Sequence, residues 1–534
     1  MKSYLLKRIL FSLFSLLVVT GVVMWMTYDL LDRDLIFAND QVVTHLSQNE
    51  AAVYKHEKFV QLGYEDYVNY AEYLPKKYAE KYGADFLENA EYNAQYNASK
   101  DYLKLANPKD SIEENFKKIE QNEDVLEFIN YYKKQGYTIK FLPKKLAFGK
   151  IVSFPYLIAY KQYNVFRRLW GFVTGLFTIE TVNDVKDEEL TNRYIRWEWD
   201  KRSNMPALVG NGTRHKFLIY FDNNFPFIHQ NIIHLSLGQS VVSYKGTDVA
   251  DVLSMNTGST YFSMQEYPVD LGTGVLNETS YDFHTVTYSS SISDHDATIY
   301  GVGEHYINAK QNTSGLTRIG NSFVMGILST IICYIIGLPM GIWMARRKDK
   351  LVDKIGNGYI IFIMSVPSLA YIFAFAAIGV TLGFPIKWAS AKNLFMAMFL
   401  PVISLSLPAI GGLMKWMRRY MIDQSNADYV KFARSTGMTE GEIFSKHIAK
   451  NAFIYLVHGV PADILFALVG ALITEKVYAV PGIGGLVTNA ITAHDNGIII
   501  AGTVFYSFLT IASLILGDLL LVKYDPRVSL ADRG

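Results

Sequence analysis

Few side chains in this sequence could do chemistry, and most of those stand in apolar surroundings. His458 and Asp463 lie within one hydrophobic stretch. At the depth of a hydrocarbon layer such ionisable groups face a bundle interior or a water-filled path, or else hydrogen-bond helix to helix. Pro339, Pro367, Pro401, Pro408 and Pro461 fall within or at the ends of similar stretches. Each removes a backbone hydrogen bond and permits a kink that could serve as a hinge or only shape a bundle. Glu475, with the Pro481-Gly482-Ile483-Gly484 turn behind it, reads as structural. Catalytic patterns are absent. There is no G-x-x-x-x-G-K-[ST], since Gly149-Lys150 has Lys144 where the first glycine should stand, and there is no G-x-S-x-G. His229 and His234, and Asp294-His295-Asp296 with Glu304-His305, lack any H-E-x-x-H or CxxC context, so no metal site is expected. Cys333 is the only cysteine, which rules out a disulfide within the chain.

The elements that must position these groups follow from composition. Half of the 534 residues are hydrophobic and the mean hydropathy is +0.11, too apolar for an ordinary soluble protein and too polar to lie wholly in a bilayer. A formal net charge of +1 argues against a nucleic-acid partner. Lys2, Lys7 and Arg8 precede an apolar run from Ile9 to Tyr28, long enough to cross a hydrocarbon layer of ~30 Å. The run outlasts a signal-peptide core and lacks a small-x-small end, so it reads as an anchor. Five more spans are expected over residues 319–344, 355–382, 394–414, 452–474 and 498–522. Cations after the second, fourth and sixth spans share the N-terminal side, with Lys387, Lys392 and Lys476 opposite. The positive-inside rule then puts both termini in the cytoplasm of a multi-pass cell-membrane protein.

Three regions result: a first membrane helix over 1–34, a large α+β extracellular domain over 35–316, and a five-helix core over 317–534 with a cytoplasmic loop at 423–451. The domain reads as helices up to Gly136, broken at Leu74-Pro75 and Asn107-Pro108, and as strands after Arg193. Its length predicts an independently folded module with a Tyr- and Asn-rich surface. The apolar patch from Ile151 to Ile179 holds Lys161, Arg167 and Arg168, which predicts a soluble core or a surface-lying helix rather than a span.

The loop after the fourth span carries the sharpest local pattern. Residues 427–436 are helix formers with Tyr429, Val430 and Ala433 on one face, and Gly437 stands where a left-handed residue would end that helix. Thr439-Glu440-Gly441-Glu442 has the form of a capping box that starts a second helix at once.

This elbow resembles the EAA loop of ABC-importer permeases. Asp428-Tyr429-Val430-x-x-Ala433-Arg434-x-x-Gly437, then Lys446-His447-x-x-x-Asn451-Ala452, is similar to the oligopeptide/dipeptide (OppB/DppB) version. Gly337-Leu338-Pro339-Met340-Gly341 with Asp353, Ser365-x-Pro367-Ser368, and Leu400-Pro401 with Leu407-Pro408 resemble the same family. So do Glu475-x-Val477-x-x-x-Pro481-Gly482-x-Gly484, Asp495, Asp518-Leu519-Leu520 and Leu237-Gly238-Gln239-Ser240. Streptococcal Ami-type members are similar in carrying an enlarged external domain. The resemblance implies a six-helix type I importer fold and a transport subunit rather than an enzyme. It implies a second homologous permease, two ATP-binding subunits that hold the ATP and Mg, an external peptide-binding lipoprotein and a peptide cargo. Asp428, Tyr429, Val430, Ala433, Arg434 and Gly437 would couple to the ATPase, with His458, Asp463, Pro367 and Pro408 as candidates along the path. Asn426-Ala427-Asp428 departs from the literal Glu-Ala-Ala, and residues 40–229 and 254–317 have no counterpart in smaller members. The other reading is a membrane-anchored receptor or scaffold whose external domain binds a ligand without transport.

Overall fold

The computed structural model describes residues 2–524, apart from short breaks at 31, 39, 108, 148–149, 185–190, 201–202, 214–216, 222–226, 245–246 and 458. Within 255–315 it describes only the paired strands Gln265–Glu266 and Thr279–Ser280. The chain starts with α1 (Lys2–Trp25), whose exposed face carries Leu10, Phe11 and Phe14, and which ends in a π-helical turn over Met26–Leu30.

A polar domain follows. α2 (Gln48–Gln61) starts at a capping box between Ser47 and Glu50, and β1 (Glu65–Asn69) leads into α3 (Tyr70–Tyr82). α4 (Ala90–Tyr102), α5 (Ile112–Ile119) and α6 (Glu123–Lys134) come next, then β2 (Thr138–Leu142) and β3 (Tyr156–Gln162). The three strands form an antiparallel sheet in the order β1-β3-β2. Many of the domain's asparagines are helix caps: Asn69, Asn89 and Asn122 accept from the amides that open α3, α4 and α6. The expected break at Leu74-Pro75 is not there. α3 runs through Pro75 because Tyr70, Leu74 and Tyr78, at four-residue spacing, are all buried in one core with Phe128, Ile129 and Leu157. The same core corrects the reading of the tyrosines as surface groups. Tyr70, Tyr73, Tyr78 and Tyr132 meet Phe128 or Tyr96 edge-on or tilted, filling the interior with broad rings.

The apolar patch resolves into β3, then α7 (Val165–Gly175) and β4 (Phe177–Ile179). α7 packs against α1, and Arg168 is buried beside Asp29 at 3.4 Å with Tyr28 under its guanidinium. A second antiparallel sheet joins β5 (Ile195–Asp200), β6 (Met205–Gly210), β7 (Phe217–Phe221) and β8 (Ile228–Gln230) in the order β8-β7-β6-β5. β9 (Ile233–Leu235) pairs with β4, and α8 (Val249–Ser254) lies against the membrane helices.

Beyond it stand α9 (Arg318–Arg346), α10 (Leu351–Ser365), α11 (Ser368–Thr381) and α12 (Leu394–Ser425). Four described helices are long and apolar enough to cross a membrane: Leu6–Leu30, Arg318–Arg346, Leu394–Ser425 and Asn496–Tyr524. The count becomes six if each of two bent pairs is one span. The third expected span, over 355–382, is one of these pairs, and the kink permitted at Pro367 is a bend of 105° between α10 and α11. Pro367 forces Val366 into extended backbone (φ −82°, ψ 129°) and has no amide with which to continue the helix. α9 and α12 make the most extensive helix–helix contact among the described residues, and at Gly337 and Gly341 a Cβ would press on Leu413, Met414 and Met417.

Candidate functional site

The elbow is built as its local signals require. α13 (Asp428–Ser435) ends at Gly437, whose φ is +82°. The Met438 amide donates to the Ala433 carbonyl at 3.3 Å and the Gly437 amide to that of Arg434 at 3.1 Å, the paired bonds of a Schellman cap. Two residues on, the Thr439 hydroxyl accepts from the Glu442 amide and the Glu442 carboxylate from the Thr439 amide, opening α14 (Glu440–Val457). Arg434 donates to both Glu440 oxygens across the turn, at 2.7 and 3.2 Å. That exposed pair adds little stability, but its fork geometry holds one helix at a fixed angle to the other. α14 winds through a π-helical turn over Ile443–Ala449 and continues into the fifth apolar stretch without a break. The helix that holds the fifth apolar stretch therefore begins within the elbow, at Glu440. α14 then meets α15 (Val460–Tyr478) at 51°.

Of the six coupling candidates, Val430 and Ala433 point inward. They are buried with Met417 and Met421 of α12, Met344 of α9, and Ile443 and Ile448 of α14. Tyr429 is half-buried and its hydroxyl donates to Gln424 at 2.7 Å. The free face carries Asp428, Lys431, Phe432 and Ser435, with Phe432 71% exposed. Lys431 bonds Asp428 at 2.9 Å and holds its carboxyl below the usual carboxylate range. Phe432 was not among the residues singled out from sequence. The signal was available, since an aromatic side chain sits two places from Val430 on the face opposite the apolar one. Nearby, Arg418 of α12 binds the buried Asp353 of α10 through two bonds of 2.5 and 2.8 Å, and Asp353 also accepts from Asn357 and the Asp349 amide. This locks α10 to α12 at the elbow end of the bundle.

Higher in the bundle the path candidates are spread out. Asp463 lies in the first turn of α15 and accepts from the Tyr334 hydroxyl of α9 at 2.6 Å. Pro367 stands at the 105° bend, and Pro408 lies inside α12, where Tyr359 donates to the neighbouring Leu407 carbonyl at 2.8 Å. His458 lies outside the described residues. Tyr478 is within 2.8 Å of Ser404 and donates to the Ile372 carbonyl at 3.3 Å, tying α11, α12 and α15 together.

At the end nearest the polar domain, two buried carboxylates act as hubs. Glu475 accepts from the Ser322 hydroxyl at 2.6 Å and the Gly485 amide at 2.8 Å, and a Cβ on Gly482 would fall on its carboxylate. Asp495, between α16 (Ile483–Ala493) and α17 (Asn496–Tyr524), accepts from the Ser240 hydroxyl at 2.6 Å. It also accepts from the amides of Val241, Val242 and Ser243 at 3.0, 3.0 and 2.8 Å. Thus the Leu237–Ser240 motif and Asp495, some 250 positions apart in sequence, form one joint between the polar domain and the bundle. Of the imagined metal ligands, His234 meets Glu180 at 3.1 Å and His229 stacks on Tyr220, while residues 294–296 and 304–305 lie outside the described residues. Among the described residues, no group of three or more His, Cys, Asp or Glu side chains could hold a metal.

Residues 337–530 match the family described as binding-protein-dependent transport system inner membrane component. Over the whole of both chains the sequence is 29% identical to the oligopeptide transport system permease protein AmiC of Streptococcus pneumoniae. It is 30% identical to the dipeptide transport system permease protein DppB of Lactococcus lactis, over 43% of this chain and 76% of that one. A chain from the crystal structure of an amino acid ABC transporter aligns over 40% of this chain and 92% of its own, at 17% identity and a TM-score of 0.31, too slight a likeness to carry an argument.

Proposed function

The chain belongs to the oligopeptide/dipeptide permeases of ABC transporters, and from that premise we propose that it forms half of the translocation path of an ATP-driven oligopeptide importer. It is a multi-pass cell-membrane transport component and not an enzyme. On this reading a second, homologous permease supplies the other half. Two ATP-binding subunits carry the ATP and Mg that the absence of a P-loop denies this chain, and an external lipoprotein delivers peptide. Each bent pair is one span, giving six. Both termini are cytoplasmic, in keeping with the pairing of Arg8 on α1 with Asp518 on α17. Residues 35–316 are the external domain that receives the binding protein. Asp463 with Tyr334, His458, and the bends at Pro367 and Pro408 border the path.

One observation carries this reading: α13 is fastened inward by Val430 and Ala433 while its free face presents Phe432 among charges. A push on that face is passed to α12 and α14, which leave the elbow as rods toward the middle of the bundle. Asp428, Lys431 and Phe432 make the contact, whereas Tyr429, Val430, Ala433, Arg434 and Gly437 transmit it. Phe432→Ser tests this. An aromatic anchor in a partner's pocket is worth about 2 kcal/mol, so co-purification with the ATPase subunits should weaken about thirtyfold and uptake should fall with it. The thermal stability of the chain itself should be unchanged, because the ring is solvent-exposed. Unaltered co-purification and uptake would remove α13 as the docking element. The orientation has its own check in a Cys333→Ser background. In intact cells an impermeant thiol reagent should label a cysteine at Tyr92 and leave one at Lys431 untouched. The reverse pattern would invert the topology.

A further inference from the structure

Six large apolar side chains on three neighbouring elements are turned away from the protein. Phe166 and Trp170, four apart on α7, are 77% and 71% exposed, and Phe177 and Ile179 of β4 are each 63% exposed. Ile233 and Leu235 of β9 stand directly opposite Ile179 and Phe177 in register, so the four strand residues share one face. A patch of this kind is not left in water without a reason.

Its position says what covers it. Leu169 of α7 packs at 3.4 Å from where a Cβ on Gly21 would stand, and Gly21 lies inside the apolar span Leu6–Leu30. Nine residues of that span separate Gly21 from its end at Leu30, about 13 Å along the helix axis. The inner face of α7, at Phe172 and Leu176, joins a cluster with Leu237, Ile498 and Ala501 at the bundle. Charge is graded along the same element. Arg168 sits at the level of Asp29, close to the end of the span, and Arg167 stacks on Tyr163. From Leu169 to Ile179 no residue is ionisable, and the Glu180 that follows is buried and bonded to His234. The guanidinium end marks a headgroup level, and the uncharged part of the element beyond it, from Leu169 on, runs beside Gly21 and Leu16 of α1.

We propose that α7, β4 and β9 form a foot that lies in the lipid leaflet bordering the polar domain, with Trp170 and Phe177 in contact with acyl chains. The foot seats the polar domain at a fixed height over the bundle, beside the Asp495 joint. It depends on the membrane reading of α1 and not on the identity of the cargo or the direction of transport.

The test uses the full chain, Cys333→Ser, in its assembled transporter in phosphatidylethanolamine–phosphatidylglycerol vesicles, with one nitroxide at position 166, 170, 177 or 233. Collision with oxygen, which concentrates in lipid, is compared with collision with a water-soluble nickel chelate. The oxygen-to-nickel ratio at 170 and 177 should match a label at Val22 on α1, next to Gly21, and exceed several-fold one at Leu105, an exposed residue of the polar domain. A ratio like that of Leu105 would put the patch in water. Protection from both reagents would put a protein partner on it. Either result overturns the proposal. As a label-free measure, Trp170→Phe should remove part of the tryptophan emission that brominated lipid quenches, and an unchanged quenched fraction would also count against the foot.

Discussion

Gly437→Val should uncouple transport from ATP hydrolysis. Peptide uptake is expected to fall about tenfold or more while the chain still inserts and still retains its ATPase subunits. The cause is backbone conformation and not crowding, since a Cβ at Gly437 would meet nothing within 4 Å. At φ +82° a β-branched residue is strained by about 1–2 kcal/mol. The chain escapes most easily by giving up the bond from Met438 to Ala433, and α14 then leaves the turn at a new angle. That rotation also pulls Glu440 away from the Arg434 fork, so the free face of α13 and the rod of α14 lose their fixed relation. Gly437→Asn is the control, because asparagine enters the left-handed region with little strain and should keep most of the uptake. Normal uptake with valine would mean that the angle of the elbow is not tuned. Loss of assembly with both variants would mean that the turn serves folding and not coupling.

Asp495→Ala should detach the polar domain's joint from the bundle and is expected to have the largest effect on stability. The carboxylate is fully buried and is the acceptor for one hydroxyl and three consecutive amides. Truncation leaves those donors without an acceptor, and each orphaned buried group costs about 1–3 kcal/mol, so a total loss of about 4 kcal/mol is expected after partial relaxation. Gly497 shows how tightly the joint is packed, since a Cβ there would fall on the Gln239 carbonyl. The thermal midpoint of the purified complex should drop by several degrees, and new protease cleavage should appear between residues 237 and 254. Asp495→Asn, which keeps one acceptor oxygen, should fall between the two. A thermal midpoint equal to that of the parent would show that the joint is held by packing alone.

Local features could be read from the sequence because they act within a turn or two of backbone. Apolar runs of membrane length marked candidate spans, although Pro367 indicated only a kink and not that the next helix would leave at 105°. Gly437 and the Thr439–Glu442 box each satisfy amides or carbonyls a few residues away, so their types and spacing were enough. Pro75 misled for the complementary reason. A proline weakens a helix locally, and here the burial of Tyr70, Leu74 and Tyr78 outweighs the lost bond, which no local pattern records. The facing of α13 was half visible, for its apolar side could be named. That Phe432 is left free on the opposite side depends on where α9, α12 and α14 end.

By itself, then, the sequence determined the membrane class, the apolar segments of membrane length and the helix–turn–helix of the elbow, because length, periodicity and capping are properties of contiguous residues. Only the tertiary structure decided which groups meet across long separations. It paired Asp353 with Arg418, brought Tyr334 to Asp463, closed Ser240–Ser243 over Asp495, and laid Leu169 of α7 against Gly21 of α1. Each of those pairings depends on the packing of several helices at once, and a buried carboxylate reads the same in sequence whichever donor the fold brings to it.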